Sequence, residues 1–92
     1  MIQRMNLHRG QILTKSNINN ILNSAKGTYS YARFEMYNKI YISIFFNKDN
    51  TVEISTNSRN IALWNRLEVL RRNNTISMLV DFIFFWIPIL NR

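Results

Sequence analysis

The chain has 92 residues, of which 47% are hydrophobic and 18% are charged, a composition that favours one small globular domain over residues 1–92 and excludes a disordered chain. It contains no cysteine and one histidine, which excludes disulfides, cysteine-ligated zinc and thiol catalysis. The formal net charge is +7 and is uneven, because residues 1–46 hold six basic residues and one acid, whereas residues 47–92 hold six and four. This charge favours contact with nucleic acid or an anionic membrane, and the alternative interpretation is simply a soluble protein of high pI.

Residues 1–14 lack the continuous apolar run of a secretory signal. Arg4 and Arg9 stand there without acids, a composition found both in organellar transit peptides and in ordinary N-termini. We therefore interpret residues 1–14 as a flexible or targeting arm. We expect an intracellular protein, located in the cytoplasm or in an organellar matrix.

A first helix is predicted over residues 16–26, because apolar side chains recur there at helical spacing: Ile18, Ile21, Leu22 and Ala25. Thr14 or Ser16 is suited to cap its start, and Gly27 is suited to end it. Four asparagines in this stretch lower its intrinsic helix propensity. Packing against the rest of the domain must therefore hold this helix in place.

Three strands are predicted next, because inward and outward side chains alternate along three segments: residues 29–37, 40–46 and 51–56. Asparagine-rich turns are predicted at Asn38 and at residues 47–50. One alignment sets every inward residue opposite another inward residue: Met36–Ile40, Phe34–Ile42, Ala32–Ile44, Ile44–Ile54 and Phe46–Val52. A slip of one residue would turn these side chains outward, so this register is a firm consequence of the pattern.

Two more helices are predicted after the strands, over residues 58–73 and 76–90, with Ser58 capping the first and Thr75 or Ser77 capping the second. The apolar side of the helix over residues 58–73 consists of Leu63, Trp64, Leu67 and Leu70. The predicted fold is therefore α+β, an antiparallel three-stranded meander with one helix before it and two after it (α-β-β-β-α-α).

The last helix is apolar on every side, apart from Asp81, and its 15 residues are fewer than the roughly 20 that cross a membrane. A helix of this kind must be buried. We expect one side to pack on the domain and the other side to form a partner interface, most simply with a second copy in a homodimer: Phe82, Phe85, Trp86 and Ile89. A larger assembly is an alternative, and association with a membrane is a further one that we do not favour.

The outward side of the meander interleaves aromatic and basic residues, which suits the stacking of unpaired bases and the neutralisation of phosphates. The predicted nucleic-acid-binding residues lie on this side and on the second helix: Tyr29, Tyr31, Arg33, Lys39, Tyr41, Phe45, Arg59 and Arg66. In the alternative interpretation, a helix or a second subunit covers these rings. Glu35 and Glu53 would repel a nucleic-acid backbone.

Catalysis finds little support, because the sequence contains no glycine-rich phosphate loop, nucleophile elbow or carboxylate–histidine set. We therefore expect neither an enzyme nor a cofactor or metal. The leading hypothesis is non-catalytic binding of nucleic acid, RNA more readily than duplex DNA, as a regulator or a ribonucleoprotein component. The alternative is a protein-binding module, either a small phage-type inhibitor of host defence encoded by a mobile element or an accessory subunit of a larger complex.

Two partial resemblances accompany these hypotheses. The order helix, meander, helix over residues 16–72 resembles a double-stranded RNA-binding domain, but Ser58-Arg59-Asn60 offers one cation where that family usually carries several lysines. Residues 51–90 resemble a ribbon-helix-helix repressor, which would require Val52 and Ile54 to pair with another chain. These departures leave the chain outside both families.

Overall fold

The structure, a computed structural model, describes residues 2–9, 11–28, 30–72 and 74–91. These residues form four strands and three helices in the order β1 (Ile2–Asn6), α1 (Lys15–Gly27), β2 (Tyr31–Glu35), β3 (Tyr41–Phe46), β4 (Val52–Thr56), α2 (Ile61–Arg72) and α3 (Ile76–Leu90). The strands form one mixed sheet in the order β1-β2-β3-β4. The predicted α+β class, with a meander followed by helices, is confirmed.

The prediction of a three-stranded sheet is wrong, because β1 adds a strand that pairs in parallel with β2. Met5 lies opposite Phe34 in this pairing, and beyond the strand the N–H of Leu7 donates to the carbonyl of Glu35 at 2.7 Å. Two parallel neighbours require a crossover connection, which α1 supplies. Ile2–Asn6 therefore belongs to the sheet, although it lies in the segment that we interpreted as an arm.

The predicted register of both hairpins is confirmed. The residues paired across β2, β3 and β4 include Phe34–Ile42, Ala32–Ile44, Ile44–Ile54 and Phe46–Val52. The N–H of Met36 donates to the carbonyl of Ile40 at 2.8 Å, which closes the first hairpin as predicted. Because β4 pairs with β3 of its own chain, it differs from the ribbon of a ribbon-helix-helix repressor, and β1 separates the topology from that of a double-stranded RNA-binding domain.

The helices begin at side-chain caps. The hydroxyl of Thr14 accepts from the N–H of Asn17 in α1, and the hydroxyl of Thr75 accepts from the N–H of Met78 in α3. In α2 the predicted cap is displaced by two residues, because Asn60 Oδ1 accepts from the N–H of Leu63 at 3.2 Å. Such caps satisfy backbone donors that have no partner within the helix.

The core lies between the sheet and the helices. α1 contacts β1, β2 and β3, α2 contacts β4, and α3 packs against both α1 and α2. The strands, with Met36 directly after β2, contribute one row of buried apolar side chains: Ala32, Phe34, Met36, Ile42, Ile44, Phe46, Val52 and Ile54. The helices meet them with another set: Ile18, Leu22, Ala25, Leu63, Leu67, Leu70, Leu79, Ile83 and Ile87. We call this buried side of the sheet the inner face.

The end of α3 is tied to the rest of the domain by Asn91, which is 4% exposed. Asn91 Oδ1 accepts from the N–H of Tyr37, and Asn91 Nδ2 donates to the carbonyl of His8. Side chains along one face of α3 are buried by the domain itself: Leu79, Val80, Phe82, Ile83, Trp86 and Ile87. Within the described part of the chain, the helices lack the length and apolar character needed to cross a membrane.

Candidate functional site

The side of the sheet that points away from the helices carries a row of aromatic, charged and small polar residues. We call this side the outer face. Most of its side chains are half-exposed or exposed: Arg4, Asn6, Tyr31, Arg33, Glu35, Tyr41, Phe45, Glu53 and Ser55. They alternate along the strands with the buried residues of the inner face, which is the consequence of the two-residue period of a strand.

Two rings form a pair at one end of the outer face. Tyr31 in β2 lies directly opposite Phe45 in β3, and their ring centroids are 4.7 Å apart at an interplanar angle of 31°. Both side chains are half-buried. The pair therefore presents aromatic surface to solvent while its ring–ring contact holds both side chains in position.

A second cluster lies towards the other end of the same two strands. The guanidinium carbon of Arg33 is 4.1 Å from the centroid of the Tyr41 ring, and Arg33 Nε is 3.3 Å from Glu35 Oε2. Tyr41 lies directly opposite Glu35, so the arginine reaches diagonally across the strand pair. The cation thus has two partners, a ring that it covers and a carboxylate that neutralises it.

Ser43 lies between these two clusters. Its neighbours across the strands are Arg33 in β2 and Ser55 in β4, and it is 2% exposed although it belongs to the outer face. Its Oγ is the one buried side-chain oxygen or nitrogen of the described residues that has no hydrogen-bond partner. The side chains around it therefore shield a hydroxyl that still has its full hydrogen-bonding capacity.

The structure brings together four of the predicted nucleic-acid-binding residues: Tyr31, Arg33, Tyr41 and Phe45. Lys39 lies beyond them in the β2–β3 turn, with an exposed side chain and a φ of 67°. Tyr29 lies outside the described residues. Arg4 was missed, because it lies opposite Arg33 in the unpredicted strand β1.

Arg59 and Arg66 lie apart from this cluster. Arg59 is exposed just before α2. Arg66 lines a shallow depression between α2 and α3, together with Asp81 and Phe85. These two arginines therefore belong to the helical side of the domain, and the four outer-face residues form a separate site.

The predicted partner-interface residues are divided between core and surface. Phe82 and Trp86 are 3% and 8% exposed, so the domain itself covers them, and Ile89 is half-buried against the core. Phe85 is 61% exposed and packs edge-to-face on Trp86 at 5.5 Å. Asp81 pairs with Lys15 at 3.1 Å. Phe85 is therefore the member of this set that remains available to a partner.

The outer face offers aromatic rings, an arginine held by a carboxylate, and a shielded hydroxyl. Among the described residues, histidines and carboxylates do not gather in groups of three that could hold a metal ion. No family model, curated protein or solved structure matches this chain.

Proposed function

We propose that this chain is a non-catalytic RNA-binding protein, acting inside the cell as a regulator or a ribonucleoprotein component, and that it holds unpaired bases on the outer face. One observation carries the proposal: Tyr31, Phe45 and Tyr41 present half-exposed rings on the two central strands, opposite the face on which the helices pack. Sheets of this arrangement bind single strands by stacking bases on their rings. Each stacked base contributes roughly 1–3 kcal/mol.

The charge of the outer face supports unpaired RNA in preference to a duplex. Arg4 and Arg33 are the cations of this face, but Glu35 pairs with Arg33 and Glu53 lies on the same face. Phosphate attraction alone would therefore be weak here, and stacking must supply most of the affinity. Bases can stack on side chains only where they are not paired in a double helix. Loops and single strands of RNA are therefore the favoured ligands.

Fluorescence anisotropy with a labelled single-stranded RNA of about ten nucleotides tests the proposal. We expect Tyr31→Ala and Tyr41→Ala each to weaken binding about tenfold, because each removes one stacking ring. Phe85→Ala is the matched control, since it removes an exposed ring from α3, and it should leave the affinity unchanged. Raising the salt from about 50 to about 200 mM should weaken binding only moderately.

Absence of binding to RNA at low salt would refute the proposal. So would full affinity in both tyrosine variants. Equal affinity for a duplex of the same sequence would refute the preference for unpaired bases. Single-stranded DNA serves as a further ligand, and a weaker affinity for it would indicate that 2′-hydroxyls also contribute.

A second candidate function is a protein-binding module, either a small inhibitor or an accessory subunit, which would use the exposed side of α3. The observation that favours it is the exposure of Phe85, beside Arg66 at the depression between α2 and α3. Large exposed rings next to an arginine are typical of interface anchors. A second copy of the chain is the simplest such partner.

Sedimentation at micromolar concentration tests this second candidate. A homodimer that Phe85→Ser disrupts would support it. Ile61→Ser is the matched control, because Ile61 is 77% exposed at the start of α2 and does not line that depression. A monomer at every concentration would exclude the second copy as the partner.

A further inference from the structure

We propose that Ser43 is a base-contacting residue of the outer face, and that Arg33 leaves Tyr41 for a phosphate when a base stacks on that ring. The ligand would be single-stranded RNA with two stacked bases, one of them selected by a hydrogen bond to Ser43. This inference rests on the RNA binding proposed above. It names the residue that discriminates between bases and the residues that control access to the hydroxyl of that residue.

The first step of the argument concerns the Ser43 hydroxyl. A buried polar group without a partner destabilises a folded protein, so such a group requires an explanation. Ser43 is 2% exposed, and its Oγ is unpaired at the centre of the outer face. A hydroxyl both donates and accepts, so it can bond the polar edge of a base that stacks beside it. A ligand that reached it would supply the missing partner.

The second step concerns what covers the site. The Arg33 guanidinium lies 4.1 Å from the centroid of the Tyr41 ring, at stacking distance. A base and this cation cannot occupy the same side of the ring. Arg33 is also the direct cross-strand neighbour of Ser43. Movement of this one side chain would therefore open the ring and displace one of the cross-strand neighbours that flank the hydroxyl.

The third step concerns what holds Arg33 in place. Its Nε contacts Glu35 Oε2 at 3.3 Å, and the two side chains are 26% and 34% exposed. An arginine that is partly solvated in this way can exchange a carboxylate for a phosphate, since both offer oxygen acceptors to its planar fork. Glu35 is thus a positioning residue, which competes with phosphate for Arg33.

The Tyr31–Phe45 pair differs in this respect. Its rings contact each other at 4.7 Å, and among the described residues no cation lies over either ring. We expect this end of the outer face to stack any base, and the Tyr41 end to accept a base only after Arg33 moves. The two ends would therefore act as an unselective and a selective subsite.

Glu35→Gln tests the role of Arg33 in the full chain, with the same labelled RNA. We expect binding about threefold tighter than wild type, because the variant removes the competing carboxylate of a half-exposed ion pair. Glu53→Gln is the matched control. It makes the same charge change on the outer face, but Glu53 is exposed on β4 and forms no ion pair among the described residues. Equal gains in the two variants would overturn the competition between Glu35 and phosphate.

Ser43→Ala tests base selection with oligomers of uridine, adenosine and cytidine. We expect wild type to prefer one base, and Ser43→Ala to reduce that preference about fivefold by removing one hydrogen bond. Ser55→Ala is the matched control, because it removes a half-buried hydroxyl from the neighbouring strand. An unchanged preference in Ser43→Ala would overturn the role of this residue. Thermal unfolding without RNA should show Ser43→Ala to be no less stable than wild type, since the hydroxyl has no partner to lose.

The two proposals fail in different ways. If wild type binds no RNA, the proposed function fails, and this inference falls with it. If wild type binds and Tyr31→Ala weakens the binding, the proposed function stands. Equal behaviour of Glu35→Gln and Glu53→Gln, or of Ser43→Ala and Ser55→Ala, would then overturn this inference alone.

Discussion

The two faces of the sheet consist of alternate residues of the same strands, yet they differ in burial and in chemistry. On the inner face Phe34 and Ile44 are 0% exposed and meet the helices. On the outer face Tyr31 and Phe45 are half-buried, and they meet each other and solvent. The inner face therefore supplies most of the hydrophobic stabilisation, which is proportional to the apolar area removed from water. The residues of the outer face are free of this packing requirement.

The largest expected difference between the faces is in stability. We expect Phe34→Ala to destabilise the fold by about 3–5 kcal/mol, because it leaves a cavity in a fully buried site. Phe45→Ala should cost about 1–2 kcal/mol, because it removes a half-buried ring and its contact with Tyr31. Urea denaturation followed by circular dichroism measures both values. Phe34→Leu keeps most of the volume and should unfold at a higher urea concentration than Phe34→Ala.

Equal losses in Phe34→Ala and Phe45→Ala would break the comparison. They would mean that a ring on the outer face contributes as much to the free energy of unfolding as a ring on the inner face does. The marginal stability of a small domain, about 5–15 kcal/mol, makes a loss of the larger size easy to detect.

The division between the faces could be predicted wherever it depends on residues that are close together in the sequence. Inward and outward side chains alternate strictly over residues 40–46. Each adjacent strand has one register that sets every inward side chain opposite another inward side chain. The composition of the outer face over β2, β3 and β4 followed from the same alternation, whereas the residues of β1 on that face did not. Turn residues such as Asn50, with a φ of 68°, mark the hairpin ends.

The parts that could not be predicted depend on contacts distant in sequence. β1 pairs with a strand that lies beyond a whole helix, and its five residues carry little alternation of their own. A helix that is apolar all round, as α3 is, gives no sign of which side will be buried, so the burial of Phe82 and Trp86 required the packing itself. The burial of Ser43, a small polar residue on the outer face, likewise has no sign in the alternation of its strand.

A smaller loss of stability is expected on removal of the hydrogen bonds that connect the end of α3 to the rest of the domain. Asn91→Ala should destabilise the fold by about 1–3 kcal/mol, because it leaves the N–H of Tyr37 and the carbonyl of His8 without the buried amide that pairs them. Asn38→Ala is the matched control. Its amide also bonds the end of α3, at the carbonyl of Leu90, but on the exposed surface, so its loss should stay below about 1 kcal/mol.

Urea denaturation measures both asparagine variants. A loss of stability in Asn91→Ala no greater than that in Asn38→Ala would show that the hydrogen bonds of Asn91 stabilise the domain no more than an exposed hydrogen bond does. The comparison of the faces would then rest on apolar packing alone. In neither variant should RNA binding change while the protein is folded, because both positions lie away from the outer face.

The smallest effect is expected in the turn between β3 and β4, whose geometry helps to decide which residues of β4 point to which face. Asp49 Oδ1 accepts from the Thr51 hydroxyl at 2.6 Å and from the Thr51 N–H at 3.1 Å. These two hydrogen bonds hold the pKa of the Asp49 carboxyl below its ordinary value, and the hydroxyl is the larger cause. The folded protein therefore binds this proton less readily than the unfolded chain does. The resulting stabilisation is fully present above the ordinary aspartate pKa, about 4, and is lost as the pH falls through the lower pKa of the folded state.

Asp49→Asn should accordingly lower the melting temperature slightly at neutral pH, and the gap from wild type should close as the pH falls below about 4. The asparagine keeps an acceptor for Thr51 but loses the charge, so the gap reports the charge-assisted part of the two bonds. Lys48→Ala, in the same turn, is the control, and its gap should not close over that range in the same way. A gap for Asp49→Asn that stays constant down to the lowest pH would show that the carboxylate does not stabilise this turn. The hairpin register would then depend on the alternation of the strands and on the backbone hydrogen bonds that close the turn, such as that from the N–H of Asn47 to the carbonyl of Thr51.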